Sequence, residues 1–179
     1  MEKYLALLRG INVGGKNIIK MAELQSLFSA LGFAAVFTYI NSGNIIFATT
    51  CTDEKALQAK CEKALQEKWN SEIPVFIMAA NHLTAALKNA PVWWGQDITA
   101  KHNAIFTFAP LTAEAFMKEV GHNEYEQYYC YKNIVFWSAA AKDFAKTKLS
   151  RIPGTALYQQ ITVRNSRTTY KLQQLASGV

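Results

Sequence analysis

The sequence is short of cysteine, proline and charge, and it holds no long apolar run. Its three cysteines, Cys51, Cys61 and Cys130, are odd in number and form no Cys-x-x-Cys pair. That argues against a disulfide framework or a zinc knuckle and for reduced, mostly buried thiols. No apolar stretch approaches the ~18 residues that cross a bilayer. The first residues, Met1-Glu2-Lys3-Tyr4, enter a strand-like run at once, with no basic leader or small-residue cleavage site. The expected location is therefore the cytoplasm, with no membrane partner. His82, His102 and His122 lie far apart, with neither a His-x-x-x-His pair nor a carboxylate at ligand spacing. No metal is expected, and surface or satisfied histidines are. There is no Gly-x-Ser-x-Gly and no cysteine in a catalytic context, and Glu114, Glu119, Glu124 and Glu126 are scattered. No catalytic residue and no cofactor is assigned.

What is present is globular: 179 residues, 50% apolar and 12% aromatic. The net charge is +6 and unevenly placed. Between Lys142 and Lys171, the basic residues Lys142, Lys146, Lys148, Arg151, Arg164, Arg167 and Lys171 face one acid, Asp143. Such a patch concentrates anions, whether nucleic acid or a phosphorylated small molecule, or serves solubility alone.

Periodicity gives the order of elements. Lys3 to Arg9 reads as a strand ended by Gly10, and Met21 to Leu31 as a helix with Leu24, Leu27, Phe28 and Leu31 on one face and Gly32 after its end. Ala35 to Ile40 and Ile45 to Ala48 form a hairpin around Asn41-Ser42-Gly43-Asn44. A second helix covers Asp53 to Trp69, and Pro74 opens a strand from Val75 to Met78. This β-α-β-β-α-β order is the ferredoxin-like unit, an antiparallel sheet with both helices on one face. Residues 103–179 repeat the theme: strand Ala104 to Phe108, helix Thr112 to Val120, a hairpin of Glu126 to Tyr131 with Ile134 to Trp137, helix Lys142 to Ser150, strand Ile161 to Arg164 and helix Thr168 to Ala176. The expected fold is α+β: a ferredoxin-like half over 1–80, a linking helix and loop over 81–102, and a second half with a C-terminal helix over 103–179, packed together.

The most distinctive segment runs from Arg9 to Asn17. Gly10 to Lys16 matches Gly-x-x-x-x-Gly-Lys, but Asn17 stands where a P-loop needs Ser or Thr for Mg²⁺. A P-loop also joins a parallel strand directly to a helix, whereas Ile18-Ile19-Lys20 intervenes here. Nucleoside-triphosphate hydrolysis is thus not expected. The glycines Gly10, Gly14 and Gly15 still let backbone N–H groups approach an anion, and Arg9 and Lys16 add full charges. In the ferredoxin-like order the first two strands run the same way. The loop after the first and the turn after the second then emerge at one edge of the sheet. Arg9, Asn12, Gly14, Gly15, Lys16, Asn41, Ser42 and Asn44 would share a donor-rich rim suited to phosphate. The plainer alternative is a chain reversal with Asn41 and Asn44 as turn formers.

A second basic candidate groups Lys146 and Lys148 with Arg164 and Arg167, with Ser166 or Thr168 alternatively a simple helix cap. The alternating aromatics Phe106, Phe108, Tyr129, Tyr131, Phe136 and Trp137 read as core rather than as a base-stacking platform. Trp93-Trp94, in a loop, reads as a cap over the groove between the halves or a partner contact.

The run Leu7-Leu8-Arg9-Gly10-Ile11-Asn12-Val13-Gly14-Gly15-Lys16-Asn17, with Met21-Ala22-Glu23-Leu24, Leu31-Gly32-Phe33 and Thr38-Tyr39-Ile40-Asn41-Ser42-Gly43-Asn44, resembles the bacterial domain-of-unknown-function 1697 family. Lys148-Leu149 and Thr162-Val163-Arg164-Asn165 through Lys171-Leu172 are similar to that family's ending. The chain departs from it at Lys20, where the family carries Pro, and at Ser166 and Thr169-Tyr170. The resemblance implies two ferredoxin-like halves and supplies no activity, cofactor or catalytic residue. The leading expectation is an anion-binding module for nucleic acid or a nucleotide. The alternatives are an enzyme acting on a small phosphorylated or carboxylated metabolite, and a regulatory or assembly module using Trp93 and Trp94.

Overall fold

The computed structural model describes residues 1–14 and 18–178. The chain divides into two compact units, one of Met1–Thr84 with the residues from Leu172 onward, the other Ala85–Lys171. The end of the last helix therefore belongs with the first unit, where Gln173 Nε2 donates to Thr84 Oγ1 at 3.4 Å.

In the first unit the order is β1 (Glu2–Leu8), α1 (Met21–Ala30), β2 (Ala34–Tyr39), β3 (Asn44–Thr49), α2 (Glu54–Trp69) and β4 (Val75–Ala79), followed by α3 (Ala80–Lys88). The sheet order is β2-β3-β1-β4 with every neighbouring pair antiparallel. β1 and β2 both oppose β3, so they run in the same direction. Alternation on β1 sends Tyr4, Ala6 and Leu8 to one face, where they join Phe47 of β3, Leu24 and Phe28 of α1, and Leu57, Cys61 and Leu65 of α2. Burial pushes the Cys61 thiol up to about 12, so it stays protonated and inert. Asp53 starts α2, its Oδ1 accepting from the N–H groups of Lys55 and Ala56 at 2.9 and 3.1 Å.

In the second unit the order is β5 (Ala100–Thr107), α4 (Ala113–Val120), β6 (Glu126–Tyr131), β7 (Ile134–Ala140), β8 (Ile161–Asn165) and the first half of α5 (Ser166–Ser177). The sheet order β6-β7-β5-β8 repeats the first, again antiparallel. Ile105, Val135 and Trp137 meet Phe116 and Met117 of α4 in its core. The protein is thus α+β with two four-stranded antiparallel sheets, as expected.

Three details differ from expectation. The helix expected over Lys142 to Ser150 is two short 3₁₀ segments, Ala141–Lys146 and Leu149–Arg151. Thr147 interrupts them: its hydroxyl donates to Phe144 O at 2.7 Å and accepts from Ser150 N at 3.2 Å, replacing helical bonds. The N–H groups of Lys148 and Leu149 turn instead to the Glu126 carboxylate, at 2.7 and 3.4 Å. α5 begins at Ser166 rather than Thr168, capped by Asn165, whose Oδ1 accepts from Thr168 N at 2.8 Å. Trp94 is not a surface cap. It is 1% exposed, edge-on to Phe136 at 4.8 Å, and its Nε1 donates to Asn103 O at 3.1 Å.

Candidate functional site

The parallel course of β1 and β2 brings their exits to one edge, and hydrogen bonds tie those exits together. Leu8 N donates to Gly43 O at 2.8 Å. Asn12 is the clamp. Its Nδ2 donates to Asn41 O at 2.8 Å and to Ile19 O at 3.0 Å, while its Oδ1 accepts from Ile19 N at 2.8 Å. One side chain thus joins the loop after β1, the approach to α1 and the turn after β2. The backbone here is tightly wound. Gly10, Asn12 and Gly14 have φ of +71°, +54° and +59°, and Ile40 and Gly43 have +48° and +73°. A β-branched residue at positive φ is costly and persists only where its surroundings impose it.

The other rim residues play mixed parts. Asn44 is buried, its Nδ2 donating to Tyr39 O at 3.0 Å and Ser42 Oγ at 2.9 Å, so it serves the turn. Arg9 is half-buried, with its backbone N–H on Pro74 O at 2.9 Å. Asn41 and Gly14 are exposed. Gly15, Lys16 and Asn17 lie outside the described residues. Val13 and Ile18, beside the loop, are 67% and 74% exposed, which gives the rim an apolar margin.

The second basic group is not gathered in one place. Lys146 and Lys148 flank the segment tied to Glu126 of β6, whereas Arg164 lies on β8, the opposite edge strand. Lys146 Nζ donates to Asp143 at 2.8 Å and sits 4.9 Å from the Tyr125 ring centre. Arg164 is 7% exposed, its Nη1 donating to Thr162 Oγ1 at 2.9 Å and Val163 O at 2.8 Å. Burial pulls its guanidinium down to about 10, still cationic at neutral pH. Arg167 is exposed and borders a cavity of about 420 Å³ with Lys101 and Asn165.

A family model described as "Protein of unknown function (DUF1697)" matches residues 1–136, which hold both glycine-bearing segments of the rim. The chain belongs to the DUF1697 family. Among solved structures, the conserved bacterial protein SP0830 from Streptococcus pneumoniae is similar over 98% of each chain, at 29% identity and a TM-score of 0.86. No curated protein matches the chain.

This DUF1697 chain also holds a cavity that the periodicity did not suggest. It occupies about 440 Å³ in the second unit, bounded by Trp93, His102, Tyr125, Gln127 and Ser138 among others. His102, Ser138 and Gln127 are cross-strand partners on β5, β7 and β6, forming a polar row on one sheet face. His102 shares the phase of Ala104 and Phe106, so a polar ring stands where the strand pattern calls for an apolar one. That phase was the available signal. It was hidden because β5 begins at Ala100 and β7 ends at Ala140, beyond the apolar runs that define them in sequence. Among the described residues no group of three or more His, Cys, Asp or Glu is placed to hold a metal ion, and no helix is long and apolar enough to cross a membrane.

Proposed function

We propose that this DUF1697 protein binds a phosphate-bearing ligand, nucleic acid or a nucleotide, at the rim formed by the β1–α1 loop and the β2–β3 turn. The observation carrying this reading is the Asn12 clamp, which holds two glycine-bearing segments side by side through Asn41 O and Ile19. Glycine-rich backbone lets an anion approach N–H groups closely, and a pre-set loop avoids the entropy of ordering on binding. Arg9 and Lys16 supply charge in a chain of net charge +6. The strained φ at Ile40 supports the reading, since such backbone collects where a loop must hold a set shape.

The test is a salt titration of affinity for a short labelled single-stranded RNA. Two phosphate contacts, one each from Arg9 and Lys16, predict that log affinity falls linearly with log salt at a slope of roughly 1.4, from ~0.7 per neutralised phosphate. A flat response, or no binding at low salt, removes nucleic acid as the ligand. A thermal-shift series with free nucleotides run alongside reads out the small-molecule form of the same site.

A further inference from the structure

The outer edge of β6 fits a second copy of the same chain. We infer that two copies pair their β6 strands antiparallel about a two-fold axis at Tyr128, joining two β6-β7-β5-β8 sheets into one. None of the observations behind this draws on the rim, so the two proposals stand or fall separately.

The main chain makes the pairing possible. β6 ends its sheet, with β7 as its neighbour. The loop Lys132-Asn133 closes on Tyr131 and Ile134, and the ladder runs without a shift back to Glu126 and Ala139. A two-residue loop makes its flanking residues a hydrogen-bonded pair, and such pairs alternate along an antiparallel ladder. Tyr131, Tyr129 and Gln127 therefore turn their N–H and C=O groups to β7, while Cys130, Tyr128 and Glu126 turn theirs outward. Glu126 N donates to Asn123 O at 3.3 Å; among the described residues the outward groups of Tyr128 and Cys130 have no such partner. Sheet edges are normally blunted by a bulge, a proline or a lysine. β2, at the end of the other sheet, is interrupted by a register shift between Ala34 and Phe37. β6 has no such device.

The side chains select a second copy as the occupant. Gln127, Tyr128 and Tyr129 are exposed, Cys130 and Tyr131 half-buried, and Glu126 is buried. The strand thus presents no exposed charge, although the chain carries +6 overall. In a two-fold contact each residue at the axis meets its own twin, so a charge there would repel itself. Charge returns at the two ends with opposite sign. Glu124, in the turn before β6, and Lys132, at the hairpin tip, are both exposed, and neither is in an ion pair among the described residues. They lie equally far along the chain from Tyr128, so an axis there brings each Lys132 beside the second copy's Glu124. An axis at Tyr129 would set Lys132 opposite Glu126, whose carboxylate is taken by Trp137 Nε1 at 2.8 Å and Lys148 N at 2.7 Å. An axis at Gln127 would set it opposite His122. With the axis at Tyr128, Tyr128 N–H donates to the second copy's Tyr128 carbonyl, and Cys130 N–H to the second copy's Glu126 carbonyl. Tyr128 stands across from Trp137, on the face packed by Met117 of α4. There a groove of about 660 Å³, bounded by Met117, Lys118, His122 and Tyr128 among others, receives the added strand.

The experiment is sedimentation equilibrium of the full chain from about 5 to 500 µM. Two short strands make a small interface, so a dimer with a dissociation constant of roughly micromolar size is expected. Tyr128→Pro removes an outward N–H and leaves the bonds to β7, so the circular dichroism of the fold should persist. Dimerisation should weaken by at least about tenfold, since the lost bond recurs on both sides of the axis. Lys132→Glu and Glu124→Lys each set like charges together and should weaken the dimer by about five- to tenfold, while the double variant should return to within about twofold of wild type. A monomer throughout the range, a dimer untouched by Tyr128→Pro, or a double variant no tighter than either single one would overturn the proposal.

Discussion

Gly43→Val should cost about 3–5 kcal/mol, combining backbone strain at positive φ with overpacking of a closed site. Gly43 has φ +73°, and a Cβ built on it would stand 2.7 Å from Leu8 Cβ and 2.9 Å from Ile11 Cδ1. The Leu8 atom is the root of its side chain and cannot rotate away, so the backbone itself must part. That separates the turn from β1, where Leu8 N donates to Gly43 O. Gly10→Ala is the control. Gly10 has a similar φ of +71° but nothing within 4 Å of the added carbon. Only the conformational term of about 1–2 kcal/mol then applies. Equilibrium denaturation of both variants measures the difference. Equal losses would mean that contact at Gly43 contributes nothing beyond strain.

Trp94→Ala should be equally severe, about 3–5 kcal/mol, because a buried aromatic is replaced by a cavity. Its ring is edge-on to Phe136 at 4.8 Å and tilted against Tyr170 at 5.4 Å, and its Nε1 satisfies Asn103 O. Removing it also leaves that carbonyl without its indole donor. Its neighbour Trp93 is only half-buried, so Trp93→Ala should cost below about 1 kcal/mol. Chemical denaturation of the pair gives a direct contrast between adjacent residues of the same type. Similar losses would contradict the assignment of Trp94 to the core.

The same pair of residues shows where the sequence was readable and where it was not. Trp93 and Trp94 stand between Pro91 and Gly95 in a stretch with no periodicity, so nothing local distinguishes the buried ring from the half-exposed one. The strands and helices of the first unit follow the reading to within one or two residues, because β1, β3 and β4 are bounded by Gly10, the Asn41–Asn44 turn and Pro74. In the second unit Thr147 and Ser150 broke an apparent helix, and the partner that held the freed N–H groups was Glu126, 22 residues earlier. Long-range acceptors of that kind leave no local trace.

The candidate rim was legible for a different reason. Strand order alone requires the exits of β1 and β2 to meet, whatever their side chains do. The role of each asparagine was less readable. Asn12 bridges segments while Asn44 closes its own turn, and both fit a polar loop equally well in sequence. His102 carries no local mark in the sequence, since its strand extends past the apolar run that marks β5.

We propose that the clamped, glycine-bearing edge of the first unit holds a phosphate-bearing ligand. The most direct measurement compares the wild-type chain with the Arg9→Ala, Lys16→Ala double variant for affinity to the same single-stranded RNA across a salt series. The prediction is a loss of at least about tenfold at low salt and a salt slope lower by roughly 1.4, two phosphate contacts fewer. A variant that stays folded and binds with unchanged affinity and slope would place any phosphate-binding surface elsewhere on the protein.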